Sequence, residues 1–193
     1  MRLSGGHYRA AMAEIPAENY SPTWVGAERP EVPPTGDERA LLTALLDWHR
    51  ATFEAKCTGL PADRLAEKAV PPSGLSLHGL VRHLAGVERW WFRIQLAGED
   101  LPMLFYSDDE PDLDFDFDVA DADPVADLQT WRRECAASRA VVEARQLDDT
   151  GTRKRDGSPI SLRFVLAHML AEYARHNGHA DLLRERIDGA TGA

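Results

Sequence analysis

Hydrophobic positions recur along this chain at spacings of three and four, the signature of helices with one buried face. Leu41, Leu42, Leu45, Leu46, His49, Thr52 and Phe53 form the first stripe. Thr35-Gly36-Asp37-Glu38 precedes it as a capping box, in which Thr35 and Glu38 would satisfy each other's free backbone N–H groups, and Gly59-Leu60-Pro61 ends it. Pro71-Pro72 and Ser73-Gly74 then break the chain, after which Ser76 is placed to cap a second helix. That helix carries Leu77, Leu80, Val81, Leu84, Val87, Trp91 and Ile94 inward, with Gly98 as its stop. Asp123-Pro124 supplies an N-cap and first helical position for a third, striped by Val125, Leu128, Trp131, Cys135, Ser138 and Val142. Residues 148–160 (DDTGTRKRDGSPI) read as a polar turn, and Ser161 opens a fourth and longest helix reaching about Ile187, before Gly189.

Four amphipathic helices, no segment of strand period and no internal repeat predict an all-α four-helix bundle. The connection of about 25 residues between the second and third helices is long enough to cross over the bundle rather than turn tightly. Residues 1–34, with Pro16, Pro22, Pro30, Pro33 and Pro34, lack a period and read as an irregular N-terminal arm, its end pinned by Trp24. The bundle is expected to span residues 35–190.

A chain of 193 residues, 44% hydrophobic and 28% charged, suits one folded domain with its own core. No stretch approaches the roughly 20 apolar residues of a membrane helix. The start, MRLSGGHYRAAMAEI, has no continuous apolar run and predicts no signal peptide. Two cysteines, Cys57 and Cys135, cannot build a disulfide framework, which points to a reducing cytoplasm. The net charge of −10 is local: residues 108–123 hold nine acids and no base, so the rest of the chain is within one charge of neutral. A chain without a basic face is not expected to bind nucleic acid. The bases are 19 Arg against 3 Lys, a bias typical of GC-rich genomes.

The fourth helix breaks its own pattern. Val165, Met169, Glu172, His176, Ala180, Leu183 and Ile187 lie on one inward stripe, with His168 and His176 each about 40° from Glu172 in projection and His179 beside them. A buried carboxylate needs a partner or a cation. Glu172 and His176, at i and i+4, can offer an oxygen and a nitrogen to one metal, as bundle metal sites do; the alternative is a Glu–His hydrogen bond in a polar core. His83 sits at the edge of the second stripe and His49 within the first, each a candidate ligand or a satisfied structural histidine, and His78, near a helix start, reads as surface. The alternation Asp112-Leu-Asp114-Phe-Asp116-Phe-Asp118 has Phe117 where a calcium loop needs Gly, so it reads as a solvated loop whose Leu113, Phe115 and Phe117 cover one end of the bundle, or as a lid. Cys57, Cys135, Trp48, Trp90 and Trp91 read chiefly as packing, and Arg82 and Arg175 as surface pairs or as holders of a substrate carboxylate.

Ser76-Leu-His-Gly-Leu-Val-Arg-His83-Leu84, Glu88-Arg-Trp-Trp and Glu172-Tyr-Ala-Arg-His176-Asn-Gly-His179 together resemble the DinB-like metal-binding four-helix-bundle superfamily, which includes mycothiol-dependent maleylpyruvate isomerases and bacillithiol transferases. The resemblance covers roughly residues 24–190. It implies that His83, Glu172 and His176 hold a divalent metal, zinc or else nickel, with positions open to water or substrate. It also implies a small-molecule thiol, mycothiol in an actinobacterial source, activated for attack on a small electrophile, and a homodimer. His49 and His179 are then the candidates for orienting ligands or moving protons. Maleylpyruvate isomerisation itself is not expected, because that enzyme carries a further domain after the bundle. The alternative function is a non-catalytic metal-binding stress-response bundle.

Overall fold

The computed structural model describes residues 29–106 and 122–191. Trp24 and the acidic loop with Leu113, Phe115 and Phe117 lie outside them. The elements are α1 (Glu38–Cys57), a single turn α2 (Ala62–Leu65), α3 (Leu77–Glu88) running on as a π-helix over Arg89–Leu96, α4 (Pro124–Glu143), the strands β1 (Thr150–Thr152) and β2 (Pro159–Ser161), and α5 (Leu162–Asp188). The four long helices form the expected bundle, with α1 packed on α5, α3 on α4, and α3 also against α5. No helix among the described residues is long and apolar enough to cross a membrane.

Most helix ends fall where side-chain oxygens can take the first free N–H groups. Ser76 accepts from Gly79 N–H, Asp123 from Val125 and Ala126, and Ser161 from Phe164. The cap of α1 is a correction. Asp37, not Thr35, holds the extended backbone of an N-cap and accepts from Ala40 N–H at 2.9 Å. Glu38 is already the first helical residue, and its carboxylate pairs with Arg163 instead. Gly189 closes α5 in the left-handed conformation.

Two further expectations fail. The polar run after α4 is not only a turn but a short antiparallel hairpin, pairing Thr150 with Ser161, Gly151 with Ile160 and Thr152 with Pro159. The hairpin docks on the π segment: Lys154 N–H donates to Gln95 Oε1, and a Cβ at Gly151 would overlap the Gln95 and Leu96 backbone. Leu41 and Val125 were expected inward but are 38% and 61% exposed, because each sits in the first turn of its helix, beyond the end of the core. The core itself runs through Leu46, Phe53, Leu80, Leu84, Phe92, Trp131, Leu166, Met169 and Tyr173.

Candidate metal centre

The packing of α3 against α5 brings the pattern-breaking residues of two helices together. Leu80, Val81 and Leu84 bury one face of α3, which leaves His83 half-buried at its edge, turned toward α5. On α5, Met169, Tyr173 and Ala180 are buried around Glu172 and His176, so these two polar residues ride a stripe that the core fixes in place. One donor atom each from His83, Glu172 and His176 lies within 4.8 Å of the other two. His176 Nε2 is 3.4 Å from Glu172 Oε2, and the His83 and His176 rings are 4.7 Å apart between centroids. His176 is buried, whereas Glu172 keeps 22% of its side chain exposed, so the cluster is accessible from outside.

Neighbouring groups tune these donors. Burial, then the adjacent His83, His179 and Arg175, hold His176 down to about 3, so its ring is neutral at physiological pH and able to ligate. His179 Nδ1 lies 3.3 Å from His176 Nδ1. With Nε2 of His176 facing Glu172, a proton on its Nδ1 donated to His179 is the tautomer that leaves Nε2 free to bind a cation. His168 Nε2 is 3.5 Å from Glu172 Oε1, and burial lowers the pKa of His168 despite that carboxylate. Beyond His179 a small apolar recess of about 90 Å³ is walled by Val70, Leu75, Leu182 and Leu183.

His49 lies outside the three-donor cluster. Asn177 Nδ2–H donates to its Nδ1 at 3.2 Å and to its backbone oxygen at 3.1 Å, which ties α1 to α5 next to His176. His78 is a correction: it is 1% exposed rather than on the surface, because Asp127 of α4 takes its Nε2 at 2.8 Å. Arg82 stacks on Phe105 at 4.5 Å, and Arg175 is exposed beside the cluster. Trp48 and Trp90 are half-buried, Trp91 packs on His168, and Cys57 is buried.

The buried core holds a second polar assembly that pattern reading did not find. Arg50 of α1 forks onto both oxygens of Glu88 of α3 through Nε at 2.8 Å and Nη2 at 2.7 Å. Tyr173 of α5 donates its hydroxyl to Glu88 Oε1 at 2.7 Å, and Trp131 of α4 donates its indole N–H to that hydroxyl at 2.9 Å. All four long helices meet in this buried chain, one residue along α5 from Glu172. Cys135 sits at its edge, with Sγ 3.6 Å from Glu88 Oε1. Burial and the Glu88 charge push the Cys135 thiol well up, the opposite of what a nucleophile or thiolate ligand needs.

A family model for mycothiol-S-transferase matches residues 41–189, which takes in all but the first three residues of the four long helices and all three cluster residues. No curated protein sequence matches the chain. Among solved structures, the chain is similar to YfiT from Bacillus subtilis, described as a "probable metal-dependent hydrolase with an unusual four-helix bundle topology". That likeness has a TM-score of 0.58 at 15% identity and covers 84% of this chain and 95% of the other, which establishes the shared bundle fold. The match along 41–189, most of the chain, makes it a member of the mycothiol-S-transferase family, of the DinB-like superfamily.

Proposed function

We propose that the protein is a divalent-metal-dependent thiol S-transferase whose metal ligands are His83, Glu172 and His176. The observation that carries this reading is the convergence of two imidazoles and one carboxylate within 4.8 Å, from facing helices, at a part-exposed point. The donor set suits zinc, with nickel as the second candidate: neutral nitrogen ligands, one anionic oxygen, and room for a further ligand. The 3.4 Å between His176 Nε2 and Glu172 Oε2 equals the edge, about 3.4 Å, of a tetrahedron with bonds of about 2.1 Å.

When bound, such a cation lowers the pKa of a small thiol so that thiolate is available at neutral pH. The protein's own groups do the rest. His179 holds the His176 ring in its ligating tautomer, and His168 restrains the Glu172 carboxylate. Asn177 and His49 fix the start of the last turns of α5 against α1. In the reaction, the thiol gives its proton to solvent, sulfur forms a bond to an electrophilic carbon, and the leaving group departs with its electron pair. The family implies mycothiol as the thiol, and we place the protein in the cytoplasm as a homodimer.

Elemental analysis of purified protein beside His176→Ala tests the site. About one divalent metal per chain in the parent, lost in the variant, is the expected result. Consumption of thiol with a model electrophile should then be abolished by a chelator and restored by zinc. A parent that stays empty after zinc or nickel is added, with an unmoved melting temperature, overturns the reading in favour of a polar core. A parent that binds metal but consumes no thiol leaves the non-catalytic metal-binding alternative.

A further inference from the structure

Glu172, His176, His179 and Leu183 fall within an arc of about 60° on α5, so the face that carries two proposed metal ligands continues toward the end of the helix. There it meets the turn before α3. A recess of about 90 Å³ lies between Val70, Ser73 and Leu75 of that turn and His179, Leu182 and Leu183 of the helix. His179 belongs to both places: it lines the recess, and its Nδ1 is 3.3 Å from His176 Nδ1. At about 1.5 Å per residue, the wall from His179 to Leu183 runs roughly 5–10 Å along α5 from His176. The opposite wall is fixed by its own hydrogen bonds. Ser73 N–H donates to the Val70 carbonyl at 2.9 Å, and Ser73 Oγ accepts from Leu75 N–H at 3.2 Å. Leu183 is buried and Leu182 is 57% exposed, which gives the recess one wall in the core and an apolar rim at the surface. No charged side chain lines it among the described residues. A single exposed leucine is ordinary; this one borders a concave apolar site one imidazole away from a proposed ligand.

We propose that this recess receives a short, uncharged, saturated carbon chain carried by a reactant held at the metal, so that the site selects small aliphatic substrates. The inference rests on the S-transferase reading and adds the substrate class. The size follows from the volume. At the ~30 Å³ that a water molecule occupies in the liquid, 90 Å³ holds about three heavy atoms. A cavity that takes benzene is nearer ~150 Å³, so a propyl-sized tail fits and an aromatic ring does not. The chemistry follows from the walls. Each methylene that leaves water for them gains free energy, whereas a charged group would give up its hydration and meet no countercharge. The tail can belong to the thiol or to the electrophile; either source leaves the reacting atom at the metal end of the face and the tail at its far end.

The test is NMR titration of zinc-loaded protein, labelled at Leu and Val methyl groups, with two series of probes: 1-alkanols and n-alkanethiols from two carbons to six. Zinc content and sedimentation are recorded on the same samples. The methyl signals of Val70, Leu75, Leu182 and Leu183 should shift. Affinity should rise about 2- to 4-fold per carbon until about three carbons are buried, then level off. Shifts with the thiols assign the tail to the thiol; shifts with the alkanols alone assign it to the electrophile. Val70→Phe, which fills the recess, and Leu182→Ser, at an exposed position that tolerates change, should each flatten the dependence on chain length with zinc content unchanged. Affinity independent of length in both series, or an undiminished dependence in Leu182→Ser, overturns the proposal. So does a dimer that dissociates in Leu182→Ser while neither series moves the four residues, which would make the recess a subunit contact. A parent that holds zinc yet shows no length dependence sinks the recess alone; alkanols that fill it in protein that takes up no zinc sink the metal reading alone.

Discussion

Replacing Arg50 by Met removes the guanidinium that forks onto Glu88 while keeping a side chain of similar reach. Glu88 is 0% exposed and Arg50 4% exposed, and their two-pronged pairing at 2.7–2.8 Å places a full negative charge in the centre of the bundle. Without Arg50, Glu88 keeps the Tyr173 hydroxyl but no countercharge. Breaking a buried pair from one side costs about 3–5 kcal/mol, because the remaining charge is stranded. In a domain of this length each kcal/mol moves the melting temperature by about 2–4 °C, so a drop of roughly 6–20 °C is expected. The double variant Arg50→Met/Glu88→Gln carries no stranded charge and should recover about 1–3 kcal/mol of that loss.

The pH dependence sharpens the test. In the parent, burial pushes the Glu88 carboxyl up, but the charge and hydrogen bonds of Arg50 outweigh it, and its pKa lies below the usual carboxylate value. The unfolded chain therefore takes up this proton first on acidification, and the stabilisation that Glu88 contributes is present at neutral pH and lost as the pH falls through the folded value. In Arg50→Met the burial effect is opposed only by hydrogen bonds from neutral groups, Ser138 and Tyr173 among them, so the folded pKa rises above the unfolded one and the order inverts. Urea unfolding should show the deficit of Arg50→Met shrinking between pH 7 and about pH 5. A deficit under about 1 kcal/mol at pH 7, or one that does not shrink on acidification, would refute the reasoning.

Tyr173→Phe removes one donor to Glu88 and one acceptor of the Trp131 N–H, so calorimetry should show a loss of about 1–3 kcal/mol without a change in fold. Gly151→Ala forces a methyl group into the Gln95 and Leu96 backbone and should lower urea stability by about 1–3 kcal/mol. In metal-free protein, His176, held down to about 3, refuses a proton that the unfolded chain accepts near pH 6.5. Parent stability should accordingly fall more steeply from pH 6.5 toward pH 4 than that of His176→Ala. Cys135, buried beside the Glu88 charge, should resist a thiol reagent in the folded protein and react only on unfolding, which mass spectrometry of labelled peptides would follow.

The features legible in the sequence are those whose cause is local. Ser76, Asp123-Pro124 and Ser161 announce helix starts because the cap and the N–H it takes are two or three residues apart. The hairpin is not legible, since three paired residues a side leave no alternation long enough to read. Nor is the π segment, whose apolar spacing over Arg89–Leu96 fits an α-helical stripe as well. His78 reads as surface because the partner that permits its burial, Asp127, is 49 residues away.

Glu88 and Glu172 show where such reading stops and what resolves it. Both are acids in otherwise apolar surroundings, and no spacing says whether the compensating charge is a side chain or an ion. The structure separates them by their partners. Glu88 is enclosed, with Arg50 supplying a full positive charge and Tyr173 a further hydrogen bond. Glu172 is part-exposed, and the groups at 3.4–3.5 Å from its oxygens are the imidazoles of His168 and His176, whose pKa values burial lowers, that of His176 to about 3. A neutral imidazole carries one N–H and one lone pair and supplies no countercharge. A carboxylate that has only neutral imidazoles beside it keeps its negative charge and is complementary to a cation, whereas one gripped by guanidinium is already neutralised. That contrast is the physical reason for proposing the metal at Glu172 and a structural role for the Glu88 assembly.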